Sequence, residues 1–151
     1  MIENVHWLGH ASFRLELGGL TVYLDPWKLQ HPRDADVILV THKHQDHLSP
    51  ADIAKISTPS TEVIVPVGCD ERLTGRVHHV QPGQTLTVRG ISVAVVPAYN
   101  VGKRYHPQGK GYVGYVVEVA GQRLYHAGDT DVIPEMADIR CDVALLPVGG
   151  T

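Results

Sequence analysis

A chain of 151 residues is long enough for one domain, and a hydrophobic content of 43% supplies a core for it. The net charge of −3, with no lysine/arginine cluster, gives no reason to expect a nucleic-acid partner. No stretch approaches the ~18 apolar residues of a membrane span, and Met1-Ile2-Glu3-Asn4 lacks the basic and apolar regions of a signal peptide. Cys69 and Cys141 are too few and too far apart for a disulfide framework, so a reducing cytoplasm is the expected setting.

Along the chain, residues 5–9, 11–17 and 20–25 read as a strand meander, with Gly18-Gly19 as a hairpin turn. The apolar run Asp36-Val37-Ile38-Leu39-Val40 reads as a buried strand. Ser49-Pro50-Ala51-Asp52 then reads as a helix start, with Ser49 as N-cap and Pro50 at the first helical position, and the helix is expected over 50–56. Further strands are expected over 62–67, 76–80, 85–88, 91–97, 113–119 and 123–126, with a helical turn over 70–73 and a second hairpin at Ala120-Gly121. Residues 99–111 form a long loop containing glycine, lysine and tyrosine, a length that suggests a functional lid. A last, fully apolar strand is expected over 142–146. Strands followed by loops and short helices point to a layered α/β sandwich.

Between the strand at 36–41 and the helix at 50–56 lies His42-Lys43-His44-Gln45-Asp46-His47, the densest group of metal-ligand side chains in a chain with ten histidines. Imidazole and carboxylate are the usual nitrogen and oxygen ligands of zinc, iron or manganese. A loop at a strand end lets a rigid scaffold aim several of them at one point. His42 and His44 alternate and so share a direction, whereas Asp46 and His47 fall on the following turn and face a second centre. Two neighbouring metals need a bridging carboxylate, and Tyr125-His126-Ala127-Gly128-Asp129-Thr130 offers Asp129 after a glycine turn. His78 and His79, adjacent on one strand, face opposite ways and make a poor ligand pair.

The run from His42 to His47 matches the HxHxDH signature, and the chain thereby resembles the metallo-β-lactamase superfamily. His126-Ala127-Gly128-Asp129-Thr130 is similar to the downstream aspartate motif. Trp7-Leu8-Gly9-His10-Ala11-Ser12-Phe13 and Leu24-Asp25-Pro26-Trp27 resemble the branch of small metal-dependent hydrolases that includes ascorbate-6-phosphate lactonase-like proteins. The resemblance implies an αββα sandwich in a single domain spanning 1–151, lacking its C-terminal portion. It implies two divalent metal ions, zinc first, with manganese or iron as alternatives. His42 and His44 would bind the first, Asp46 and His47 the second, and Asp129 both. Asp25 would orient a ligand histidine from behind, and His10 would line the pocket or touch a metal.

Two departures stand out. The superfamily's further histidine on the first metal is absent from Val96-Pro97-Ala98-Tyr99-Asn100, so Asn100 or His106 is expected in its place. The superfamily's final histidine would lie beyond the aspartate motif, and the chain stops before any such residue.

The reaction implied is hydrolysis of a small ester, lactone or phosphoester by a metal-bound hydroxide, with Asp46 accepting or shuttling a proton. The alternatives are a non-catalytic metal-binding domain with a degraded site, and a nuclease-type member, which the charge balance disfavours. The partner expected is a small molecule, with neither nucleic acid nor membrane. The last strand is a candidate edge for pairing with a second copy.

Overall fold

The computed structural model describes residues 2–69 and 72–149. The chain forms two compact units, Met1–Val80 and Gln81–Thr151.

The first unit is built on a six-stranded mixed sheet in the order β1-β2-β3-β4-β5-β6. Its strands are β1 (Val5–Gly9), β2 (Ser12–Leu17), β3 (Leu20–Leu24), β4 (Val37–Leu39), β5 (Glu62–Pro66) and β6 (Arg76–Val80). The first three pair antiparallel and form the expected meander. Gly18 and Gly19 turn it with φ of 58° and 81°, the left-handed pair that a two-residue hairpin needs to match strand twist. β3, β4, β5 and β6 run parallel. Parallel strands covered on both faces read as continuous apolar runs, and every residue of β4 and β5 is buried.

Helix α1 (Pro50–Ile56) connects β4 to β5 at the expected residues. The Ser49 side chain accepts from the Asp52 N–H, and proline takes the first turn, where no N–H is needed. Ile53 and Ile56 pack with Tyr23, Ile38, Val40, Val63 and Val65 in one apolar cluster. Each such side chain contributes about 1.5–3 kcal/mol by leaving water.

The second unit carries a five-stranded sheet in the order β11-β10-β9-β8-β7. Its strands are β7 (Thr85–Val88), β8 (Ile91–Pro97), β9 (Val113–Val119), β10 (Gln122–His126) and β11 (Val143–Leu145). Two-residue turns at Arg89-Gly90 and Ala120-Gly121 repeat the left-handed geometry of the first hairpin, so Arg89 and Ala120 hold φ of 53° and 49°. Only β10 and β11 are parallel, the other pairs being antiparallel.

Two expectations need correction. The last strand is shorter than expected over 142–146, spanning Val143–Leu145, of which Val143 and Leu145 are half-buried. Among the described residues β11 pairs with β10, parallel. The turn expected over 70–73 begins at residues outside those described, and Arg72 and Leu73 are not helical.

Packing around Gly114 on β9 leaves no room for a side chain. A Cβ there would meet the carbonyl oxygens of His126 at 2.8 Å and Ala127 at 3.0 Å, both backbone atoms. Gly114→Ala is therefore expected to destabilise the protein by about 1–3 kcal/mol in urea unfolding.

At the other end of the first unit, Glu62 is buried and accepts from His78 Nε2 at 2.6 Å and Arg76 Nη1 at 3.0 Å. The hydrogen bond from His78 outweighs the opposing effect of burial, and Arg76 adds to it, so the carboxyl lies below its ordinary value of 4.5. A group depressed on folding stabilises above its unfolded pKa and loses that contribution as pH falls through the folded one. The stability gap between wild type and Glu62→Gln should thus be full at neutral pH and close below pH 4.5, as followed by thermal unfolding across pH.

Candidate metal centre

Every residue of the His42-to-His47 run lies in the first unit, together with His10 and Asp25. β3 ends at Leu24, and Asp25 turns the chain out of the sheet with φ of 44°. Its N–H donates to the Leu39 carbonyl at 2.9 Å, so the turn is tied to the end of β4. The carboxylate is fully buried. Thr41 N–H and Thr41 Oγ1 donate to its two oxygens, each at 2.7 Å. His47 Nδ1 lies 2.7 Å from Oδ2.

These contacts decide two tautomers. An ionised carboxylate only accepts, so His47 carries its hydrogen on Nδ1 and presents the lone pair of Nε2. The single Thr41 hydroxyl hydrogen goes to Asp25, so His42 Nδ1, 3.0 Å from Thr41 Oγ1, is the donor in that contact. His42 therefore also presents the lone pair of Nε2 to a cation. Both imidazoles are buried, and their ring centroids lie 4.0 Å apart. His44 stacks edge-on against His42 at 4.7 Å.

After His44 the backbone closes one tight turn, with the N–H groups of His47 and Leu48 donating to the His44 carbonyl at 2.9 and 2.8 Å. That turn carries Asp46. Its Oδ2 is 2.9 Å from His10 Nε2 and 3.9 Å from His47 Nε2. One ligand atom each from His10, Asp46 and His47 fall within 4.8 Å of one another. Burial pushes the Asp46 carboxyl up, but His47, the residue's own backbone and His10 outweigh it, leaving the group below its ordinary value.

The loop that follows Asp25 is held by α1. Asp52 accepts from the N–H groups of Lys28 and Leu29 at 2.8 and 3.2 Å, and from Ser49 Oγ and Lys55 Nζ at 2.9 and 2.7 Å. Trp27 is thereby set edge-on to His10, with ring centroids 5.3 Å apart.

In the second unit, Asp129 follows β10 through Gly128 at φ 64°. His106 Nε2 lies 3.4 Å from Asp129 Oδ2. Asn100 turns the other way. Its side-chain amide donates to the Tyr105 carbonyl at 3.2 Å, and its N–H to the His106 carbonyl at 2.7 Å. Of the two stand-ins for the superfamily's further histidine, His106 is the one beside Asp129. Asn100 shapes the loop that presents it. That loop is braced, since Asp131 accepts from Val101 N–H at 2.9 Å and Lys103 Nζ at 2.7 Å.

A family model described as a beta-lactamase superfamily domain matches residues 4–151. The chain belongs to the metallo-β-lactamase superfamily. It is 34% identical to the UPF0173 metal-dependent hydrolase of Methanopyrus kandleri, over 97% of this chain and 72% of that protein. With the UPF0173 metal-dependent hydrolase of Archaeoglobus fulgidus it shares 35% identity, over 97% and 71%. Among solved structures, a protein of Parabacteroides distasonis named as a metal-dependent hydrolase matches with a TM-score of 0.87 at 34% identity, over 97% and 70%. The expected metallo-β-lactamase fold is thus the fold of this chain, with mixed sheets and few helices.

Within this superfamily frame, two site residues escape a reading of the sequence. Thr41 offers one signal, a hydroxyl at the strand end beside the first histidine. Asp52 is legible as a capping residue, but its grip on Lys28 and Leu29 crosses 24 and 23 residues of sequence and carries no local signature.

Removing the Asp25 carboxylate leaves the buried Thr41 N–H without an acceptor and releases both imidazoles. Asp25→Ala is expected to cost about 1–3 kcal/mol of stability. Its affinity for zinc should fall by about 10–100-fold, as read by competition with a chromogenic chelator.

Proposed function

We propose that this protein is a metal-dependent hydrolase of a small ester, lactone or phosphoester, working with two divalent metal ions, zinc first. His42 and His44 would hold one ion, Asp46 and His47 the other, with Asp129 as the shared carboxylate. The observation that carries this reading is the Asp25–Thr41–His42 chain and its branch to His47. A buried carboxylate that sets two histidine tautomers so that both present Nε2 is the usual support behind metal-binding imidazoles. The donor set of imidazoles and a carboxylate fits a divalent cation of borderline softness. The UPF0173 relatives named as metal-dependent hydrolases lend the reaction class.

When bound, the ions supply Lewis acidity and lower the pKa of a coordinated water. The chain's own residues do the rest. Asp25 keeps the imidazoles aimed and their Nδ1 atoms protonated. Asp46, ionised at neutral pH, presents Oδ2 as a proton acceptor and as a negative counterpart to a cation. The Trp27 ring flanks His10 at the edge of the same cluster. The two-cysteine composition favours a reducing cytoplasm, and among the described residues no helix is long and apolar enough to cross a membrane.

The test is a panel of esters, lactones and phosphoesters offered to the protein before and after chelation. Turnover of at least one class should vanish with the chelator and return with zinc or manganese. His42→Ala should lose more than the about 10–100-fold typical of removing a ligand's supporting partner. Metal-loaded protein that turns over nothing in the panel would instead identify a non-catalytic metal-binding domain.

A further inference from the structure

We infer that His10 is a metal ligand, completing with Asp46 and His47 a three-residue site contained in the first unit. This rests on the metal-dependent reading proposed above and extends it to a residue outside the HxHxDH run.

Spacing is the first argument. His10 Nε2 and His47 Nε2 stand 2.9 and 3.9 Å from the same oxygen, Asp46 Oδ2. A tetrahedral cation with bonds of about 2.0–2.1 Å separates its donors by about 3.3–3.4 Å. The two observed separations bracket that value, and all three donors lie within 4.8 Å of one another, close enough to converge on one ion.

Presentation is the second. His10 sits in the β1–β2 turn with φ of 52°, directly after Gly9 at 107°. That φ is the one a two-residue turn between antiparallel strands takes, as at Arg89 and Ala120, and it fixes the backbone from which the imidazole leaves. Here the surroundings are specific. Trp7 Nε1 donates to the His10 carbonyl at 2.9 Å, and the rings of Trp27 and His47 each lie 5.3 Å from the imidazole, edge-on. A histidine needed only for packing would be covered. The His10 side chain keeps 43% of its surface exposed, and its Nε2 lies 2.9 Å from Asp46 Oδ2, itself on a side chain 42% exposed.

A rival role exists for the same geometry: His10 could donate to Asp46 and merely hold it in place. The two roles separate in His10→Gln, whose amide can still donate to a carboxylate but is a poor ligand for a transition metal. The experiment is titration of the metal-free protein with cobalt(II), following both stoichiometry and the visible absorption that reports coordination. It compares wild type, His10→Ala and His10→Gln, with thermal unfolding of each metal-free form as the control for folding.

Ligation by His10 predicts that both variants hold their weakest-bound cobalt at least about tenfold less tightly than wild type. The absorption band of that equivalent should change in both. Wild-type affinity and spectrum in His10→Gln would overturn the inference and leave His10 as a positioning residue for Asp46. A weakened affinity with an unchanged band would overturn it equally. Absence of any cobalt binding by the wild-type protein would overturn the metal-dependent reading itself, a distinct failure visible before either variant is made.

Discussion

The buried carboxylate of Asp25 is the contact on which the first unit depends. Taking a carboxylate out of water costs several kcal/mol unless hydrogen bonds replace the lost hydration. Asp25 meets that demand with the Thr41 N–H, the Thr41 hydroxyl and His47 Nδ1, all at 2.7 Å. Those partners lie on the segment that leaves β4. One charged group therefore joins the end of β3 to the end of β4, and both to the histidine loop. The same group determines which nitrogen of His47 faces outward, and through Thr41 which nitrogen of His42 does. Fold and chemistry are coupled at this point, because the hydrogen bonds that make burial tolerable are the ones that prepare the ligands.

Around that contact the unit repeats one device: a buried acid that accepts several donors. Asp52 does it for the loop carrying Trp27, and Glu62 does it between β5 and β6. Asp52 crosses a gap that the β-ladder leaves open, and Glu62 adds side-chain bonds across a pair that is already laddered. In the second unit Asp131 plays the corresponding part for the loop that presents His106. Rigid placement of loop residues follows from these acids, since the loops themselves have few ladder hydrogen bonds to hold them.

Left-handed backbone recurs in both units. Among the described residues, left-handed non-glycine residues outside the hairpin turns are found at Asp25, Lys28 and His106, while His10 takes that conformation within the β1–β2 turn. Each such position costs of order 1–3 kcal/mol, offset by the network that surrounds it. The sequence alone marks His10 and Asp25 as pocket or supporting groups, and His106 as a stand-in ligand. Their backbone conformation is not visible there, because histidine and aspartate adopt the left-handed region only when tertiary contacts select it.

The sequence by itself determined the elements and the ligand run. Period-two alternation, the glycine pair at 18–19 and the Ser49-Pro50 cap are local signals, and the helix and most strands follow them within a residue or two. The HxHxDH run is local as well, which is why the superfamily was legible. Tertiary structure decided what depends on distance along the chain. It joined Asp25 to Thr41 and His47, brought His10 to Asp46 across 36 residues, and gave the loop's two candidates separate roles, with His106 beside Asp129 and Asn100 bracing the turn.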